Sequence, residues 1–384
     1  MTMDTEMLEQ LRSTIRRFVR EKLVPLEGQV AEADEIPAEI LDDIRALGLF
    51  GLSTPEEYGG LGLNLTEEIE LIIELCWASA AFRSSIGINL GLGSQSILRD
   101  GTSEQKRRWL PRIASGEIVT SFCLTEPDSG SDSAALRTTA TRDGDSYVIN
   151  GSKRFVTNAP VAGLFLVMAR TSREKLPGNA HVTAFLVPAD TPGVRVAAKD
   201  RKMGQSGAWS ADVYFEQVRV SADAIIGGVE GRGFVTAMKS LDRGRITVAA
   251  VCVGQARRIL YEATRYASER KQFGKAIGDF QLIQAMLADR QADLYAADSM
   301  VRETARRHDR GEAVSMEASC CKMFASEMVG RIADRAVQIH GGTGYMRESA
   351  VERFYRDVRL FRIYEGTTQI QQLIIGREML KALA

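Results

Sequence analysis

All nine prolines fall at or before Pro192, and the second half of the chain contains none. Proline removes a helical N–H and clashes with the preceding turn, so its absence leaves that half free to form long helices. Apolar residues use this freedom. Phe234, Met238, Leu241, Val248, Cys252, Ile259 and Ala263 recur at near-helical spacing, as do Met316, Cys320, Met323, Met328, Ile332 and Ile339. Ile283, Leu287, Leu294, Ala297 and Val301 predict a helix between them. Breaks at Gly274 to Gly278, Gly311 and Gly341-Gly342 separate these segments, which most simply make an antiparallel bundle.

The first part also reads as helices. Met7, Leu8, Leu11, Ile15, Phe18 and Val19 form one stripe that ends before Pro25, and helical patterns return at about 38–49 and 66–82. Between these and the proline-free half the character changes. Ser146–Ile149, Leu164–Val167, Val182–Val187 and Val213–Phe215 are β-branched or aromatic runs between turn residues, as in an antiparallel sandwich or barrel. The expected class is mainly α with a central β domain: helical over 1–120, β over 121–228 and helical again over 229–384.

Composition narrows the function. Forty-nine Lys+Arg against fifty Asp+Glu leave a net charge of −1, so no global basic field draws the chain to nucleic acid or anionic lipid. Any anionic ligand must be held locally. The start, Met1 to Glu6, is acidic and runs into amphipathic helix, unlike a signal or transit peptide, and no apolar run of about 18 residues exists to span a membrane. Five cysteines without a C-x-x-C spacing indicate neither a disulfide framework nor a zinc site, and fit a reducing cytoplasm. The three histidines are scattered, so no metal centre is expected and a general base is sought among carboxylates. No G-x-G-x-x-G or G-x-x-x-x-G-K-[ST] motif is present.

Three segments can carry chemistry. Leu124 to Asp132 (LTEPDSGSD) packs hydroxyls, glycine and backbone N–H groups into a turn, suited to a polar heterocycle or phosphate or to plain loop capping. Gln338 to Tyr345 (QIHGGTGY) ends a helix in glycines that allow close approach of a pyrophosphate, or serve as a C-cap. Ile363 to Gln371 (IYEGTTQIQ) places Glu365 among apolar and aromatic residues, where burial raises a carboxylate toward a working base; a bare helix-dipole role is the alternative.

Together with Asn150 to Asn158, Leu241 to Arg245 and Glu269 to Gly274, these stretches resemble the acyl-CoA dehydrogenase family of flavoproteins over the whole chain. The resemblance implies a three-domain subunit with a C-terminal four-helix bundle, non-covalent FAD and a homotetramer built as a dimer of dimers. It implies oxidation of an acyl-CoA thioester to the trans-2-enoyl-CoA, with Glu365 taking the α-proton and flavin N5 the hydride, and electron-transferring flavoprotein as acceptor. Some branches keep the base at the position of Gly244, which carries no proton acceptor here. An oxidase, or a desaturase acting on a carrier-bound acyl group, would share these motifs.

By the same resemblance Leu124, Thr125, Ser131, Phe155, Val156 and Thr157 line the isoalloxazine, with Phe155 where many members have tryptophan. Arg270, Phe273, Gln281, Gln338, Ile339, Gly341 and Gly342 hold the FAD diphosphate and adenine, partly for a neighbouring subunit, and Thr367 and Gln369 complete the flavin site. Asp242 and Arg245 hold the pantetheine and nucleotide of CoA, with Ser131 and Gly366 near the thioester. The acyl tail is expected along Ser84 to Leu98, an uncharged stretch flanked by Arg83 and Arg99, which suggests a neutral acyl chain in a glycine-opened cavity.

Overall fold

The structure, a computed structural model, describes residues 3–383, so Met1 and Thr2 of the acidic start lie outside the described residues. The N-terminal helices are α1 (Thr5–Phe18), α2 (Val24–Ala33), α3 (Ala38–Ala46), α4 (Leu65–Leu75), α5 (Ala80–Ile88), α6 (Ser94–Asp100) and α7 (Ser103–Ala114). The pattern over 66–82 is two helices rather than one. Asn64 opens α4 through a capping box with Glu67, and Ser79 opens α5 by accepting from the Ala81 N–H. Apolar periodicity runs through the break because residues on both sides of it are buried.

The strands that follow are β1 (Thr120–Cys123), β2 (Thr139–Asp143), β3 (Ser146–Thr157), β4 (Leu164–Arg170), β5 (Val182–Pro188), β6 (Val194–Val196) and β7 (Ser210–Ser221). Among the described residues they form one seven-stranded sheet in the order β1-β4-β2-β3-β7-β6, with β5 on β4. The sheet is mixed, not purely antiparallel. β1 pairs in parallel with β4, from Thr120 opposite Leu164 to Cys123 opposite Val167. A parallel partner needs a long crossover, and here the hairpin of β2 and β3 lies between the two strands in sequence. β4 is apolar without alternation because both of its faces are covered. Phe165, Val167 and Ala169 enter the core within the β domain, whereas Leu164, Leu166 and Met168 meet Trp109, Leu110 and Ile113 of α7.

The proline-free half folds as expected: α8 (Gly233–Glu269), a hairpin of β8 (Lys271–Gln272) and β9 (Lys275–Ala276), α9 (Gln281–Asp309), α10 (Ser315–His340), α11 (Ala350–Val358) and α12 (Thr368–Lys381). α8, α9 and α10 share one core, which α4 joins through Leu65, Ile69, Ile72 and Ile73. Among the described residues no helix is long and apolar enough to cross a membrane.

Two buried carboxylates tie the three regions together. Glu27 of α2 accepts from the Ser79 N–H (2.7 Å) and pairs with Arg353 (2.7 Å) and Arg258. Asp357 of α11 accepts from the Gln205 N–H (2.5 Å) and the Ser79 hydroxyl (3.2 Å). Both anchor the start of α5 against the end of α11, the elements that lead to the site described next.

Candidate active site

Glu365 lies in the loop between α11 and α12 with φ of +56°, followed by Gly366 at +89°. A left-handed residue that is not glycine costs energy and persists only where its surroundings fix it. Two buried side chains do so. Lys322 of α10 donates to the Gly366 carbonyl at 2.6 Å, and the Gln371 amide donates to the carbonyls of Glu365 (3.0 Å) and Gly366 (3.1 Å). A Cβ on Gly366 would lie 2.5 Å from that amide nitrogen, so glycine is required there. Thr367 caps α12 by accepting from the Ile370 N–H.

The clamp leaves Glu365 chemically free. Its Oε2 is buried with no hydrogen-bond partner, and its backbone N–H has no acceptor among the described residues. Burial pushes the carboxyl upward from its ordinary range, while Arg83, Arg245 and Lys322 oppose this by favouring the anion. Gly244 of α8 faces it so closely that a Cβ there would sit 2.5 Å from Oε2. The two positions that the sequence resemblance offers for a base are thus opposite each other in space.

Arg245 is buried beside this carboxylate. Its guanidinium donates to Asp242 at 2.6 Å, and Asp242 also accepts from the Ser315 hydroxyl, so both Asp242 oxygens are engaged within the chain. Sequence reasoning missed Lys322, Gln371 and Tyr364. Lys322 was detectable as a lysine on an otherwise apolar helix face. Burial lowers its pKa to about 8, and burial raises that of Tyr364.

At one end of the sheet, the 124–131 turn and the end of β3 adjoin. Arg154 N–H donates to the Thr125 carbonyl at 2.8 Å, and Lys153 donates to Glu126 at 2.8 Å and to the Leu124 carbonyl. Glu126 also accepts from the Thr138 N–H and hydroxyl, so this fully enclosed ion pair fixes the turn. A register shift between Lys153 and Val156 bulges the strand and turns Phe155 outward, with φ +56° and 62% exposure. Val156 points into the β core, so only its backbone faces outward; Thr157 is half-buried and Ser131 exposed.

The remaining expected cofactor residues gather elsewhere. Arg270 ends α8, and Phe273 and Gly274, both at positive φ, form the two-residue turn between β8 and β9. That turn displays Phe273 at 93% exposure. Gln281 begins α9 in solvent, while Gln338, Gly341 and Gly342 are exposed at the end of α10. Ile339 is a core residue. Tyr266 of α8 stacks on His340 of α10 at 4.2 Å, so these exposed groups share one end of the bundle. Gln369 is exposed on α12.

The uncharged 84–98 stretch is the end of α5, an irregular turn and α6. Two of its glycines make room for the protein itself, since a Cβ would lie 2.6 Å from an Arg83 nitrogen at Gly87 and 2.2 Å from the Thr120 hydroxyl at Gly93, whereas at Gly91 a Cβ would meet nothing within 4 Å. Arg99 binds Asp100 and the Thr236 carbonyl.

Comparison with known proteins accounts for this arrangement. Models described as the acyl-CoA dehydrogenase N-terminal, middle and C-terminal domains match residues 5–117, 121–218 and 231–380. The chain is 39% identical over 378 residues to the caffeyl-CoA reductase–Etf complex subunit CarC of Acetobacterium woodii, covering 98% of this chain and 99% of that protein. It superposes on the butyryl-CoA dehydrogenase of Megasphaera elsdenii with a TM-score of 0.93 at 33% identity, covering 99% of this chain and 100% of that one. A glutaryl-CoA dehydrogenase from Mycobacterium smegmatis, in complex with FADH2, gives a TM-score of 0.90 at 29% identity over 98% of this chain and 95% of that one. The chain belongs to the acyl-CoA dehydrogenase family of flavoprotein oxidoreductases.

Proposed function

We propose that the chain oxidises an acyl-CoA thioester to its trans-2-enoyl-CoA with Glu365 as the α-proton base. The observation that carries this is a carboxylate whose Oε2 is sealed from water, unpartnered and held in place by a strained, clamped loop. Glu365 removes the α-proton, and its free backbone N–H is available to the thioester oxygen, where charge builds in the transition state. Gly244 leaves room for the carboxylate, and Arg245 and Lys322 hold it ionised. Exclusion of water strengthens these interactions at the reacting carbons.

The residues fit FAD. The exposed Phe155 ring offers a stacking surface beside the hydroxyls of Thr125, Ser131 and Thr157, and at Gly341 and Gly342 an added Cβ would meet nothing within 4 Å. FAD, when bound, supplies the acceptor for the β-hydrogen. Leu124, Thr125, Phe155 and the Val156 backbone would hold its ring, with Thr367 and Gln369; Arg270, Phe273, Gln281, Gln338, Gly341 and Gly342 would hold its far end. The FADH2 complex of a relative supports this. The CarC relative, named for its Etf complex, supports electron-transferring flavoprotein as acceptor. A homotetramer of three-domain subunits (1–120, 121–228, 229–384) in the cytoplasm completes the proposal.

The test is anaerobic flavin bleaching by a broad acyl-CoA panel. Glu365→Gln retains FAD and loses about 10²–10⁴-fold or more in the reduction rate. Bleaching at the parental rate would remove Glu365 from its role.

A further inference from the structure

Three residues build the bulge that turns Phe155 outward. β3 and β7 are in register where Lys153 lies opposite Val213 and again where Val156 lies opposite Ala211, so Arg154 and Phe155 together face a single residue, Asp212. Two residues against one is the geometry of a β-bulge, and one of the pair must take up the extra length. Phe155 does so, with φ of +56°. A left-handed phenylalanine is strained and persists only where its surroundings hold it. Its ring, 62% exposed, is no part of the β core.

Arg154 supplies the hold. Its N–H donates to the Thr125 carbonyl at 2.8 Å, which ties the bulge to the 124–131 turn. Its guanidinium carbon lies 4.9 Å from the centroid of the Phe155 ring, within reach of a cation–π contact. Its Nε is 4.0 Å from Oδ1 of Asp212. That oxygen is buried and accepts no hydrogen bond, and among the described residues Arg154 is the cation paired with it. A buried carboxylate oxygen without a donor is costly unless a cation stands near, so Asp212 draws the guanidinium across the bulge. Nearly half of the Arg154 side chain is exposed to water, and these two contacts direct it.

We infer that Arg154, oriented by Asp212, is a positioning residue that keeps the Phe155 ring in the pose from which it stacks on the flavin. This rests on the reading of Phe155 as part of the FAD site. The guanidinium covers one face of the ring and leaves the other for a planar partner. The ring is ordered before the cofactor arrives, so binding need not supply that ordering. A ring released from Arg154 occupies the stacking pose for only a fraction of the time, and apparent affinity falls by that fraction. Loss of Arg154 through this route costs no more than loss of the ring itself.

The experiment follows FAD release on dilution of the holoenzyme, by fluorescence of the freed flavin, together with visible circular dichroism of the flavin still bound. Arg154→Met should weaken FAD about 2- to 5-fold and alter the dichroism. Arg154→Lys keeps a cation over the ring and should restore most of both, and Asp212→Asn should show part of the loss. With Phe155→Ala already present, Arg154→Met should cost nothing further. Retained flavin absorbance before dilution reports that the variants are folded. Unchanged affinity in Arg154→Met, or an equal loss with and without the ring, overturns the inference while leaving Phe155 as a stacking surface. Unchanged affinity in Phe155→Ala removes the ring from the flavin site, and the inference with it. None of these outcomes bears on Glu365, which flavin bleaching by acyl-CoA decides separately.

Discussion

At Gly244, near the start of α8, a Cβ would strike the Glu365 carboxylate; just past the far end of the same helix, Arg270 and Phe273 stand in solvent. The first site is complete within one chain. Carboxylate, clamp, cations and strained loop all come from α5, α8, α10, α12 and the segment before α12. The second is a set of exposed polar groups and an exposed ring whose aromatic neighbour is Phe280. The separation, 26 residues of one helix at 1.5 Å each, is about 39 Å. In the homotetramer proposed above, the exposed end would serve the flavin of a neighbour.

The most drastic way to break this comparison is to damage the two ends in different chains. Glu365→Gln alone lacks a base, and Arg270→Glu with Phe273→Ala lacks the far-end contacts, so each parent should be nearly inactive. Co-expressed and randomly paired, one chain's base meets the other's intact far end in about a quarter of sites. Recovery of about a quarter of parental turnover is expected in the mixture. Activity no greater than the sum of the two parents would place both ends in service of the same protomer's cofactor.

A smaller effect probes how tightly the complete end is set. Gly244→Ala puts a methyl where the Glu365 carboxylate now lies. Displacing a base by a fraction of an ångström should lower kcat about 10–100-fold while FAD remains bound. An unaltered kcat would mean that the carboxylate works from another position.

The difference between the ends also explains what the sequence could reveal. Periodicity exposed α8, α9 and α10 because each buries a continuous stripe, and the absence of proline left their lengths unbroken. It failed at 76–79, where a local Ser79 cap divides a pattern whose burial is continuous. It also missed β1, β2 and β6, which are short, and with them the parallel pairing. In the site, Glu365 was legible because an acid amid apolar residues is conspicuous. Lys322 and Arg83 act through contacts between residues 44 and 164 positions apart, for which one-dimensional spacing carries no signal, and Gln371 acts through the turn it folds back on. Arg245 showed the opposite failure. Its burial was foreseeable from the apolar helix face, yet its partner Asp242 and its place beside the base were not.

Charge removal at the clamp sharpens the comparison through pH. Turnover by the free enzyme needs Glu365 ionised, so kcat/KM falls as pH drops through the pKa of that carboxyl, which burial has raised. Lys322 in its charged form holds that pKa down. Lys322→Met should let it rise, moving the acid limb to higher pH by about one unit, with a few-fold lower kcat from the slackened Gly366 carbonyl. Because Lys322 itself loses its proton near pH 8, parent and variant profiles should converge above that value. An acid limb that stays in place would assign Lys322 to loop support alone.

The gentlest test sets one exposed ring against the other. Phe155 is turned out by a bulge on the sheet of its own protomer, whereas Phe273 is carried on a hairpin 93% exposed at the opposite end of α8. Neither ring packs in the core, so Phe155→Ala should change the unfolding free energy by less than about 0.5 kcal/mol. The ring's stacking on the flavin is worth about 0.5–1.5 kcal/mol, so FAD should bind about 2- to 10-fold more weakly, read by fluorescence of released flavin. That loss should be independent of protein concentration, because the ring and the base pocket belong to one chain. Phe273→Ala should weaken FAD in a concentration-dependent way, since a contact supplied by a neighbour disappears when the assembly dissociates. Identical concentration dependence for the two variants would put both rings on the same side of the subunit boundary.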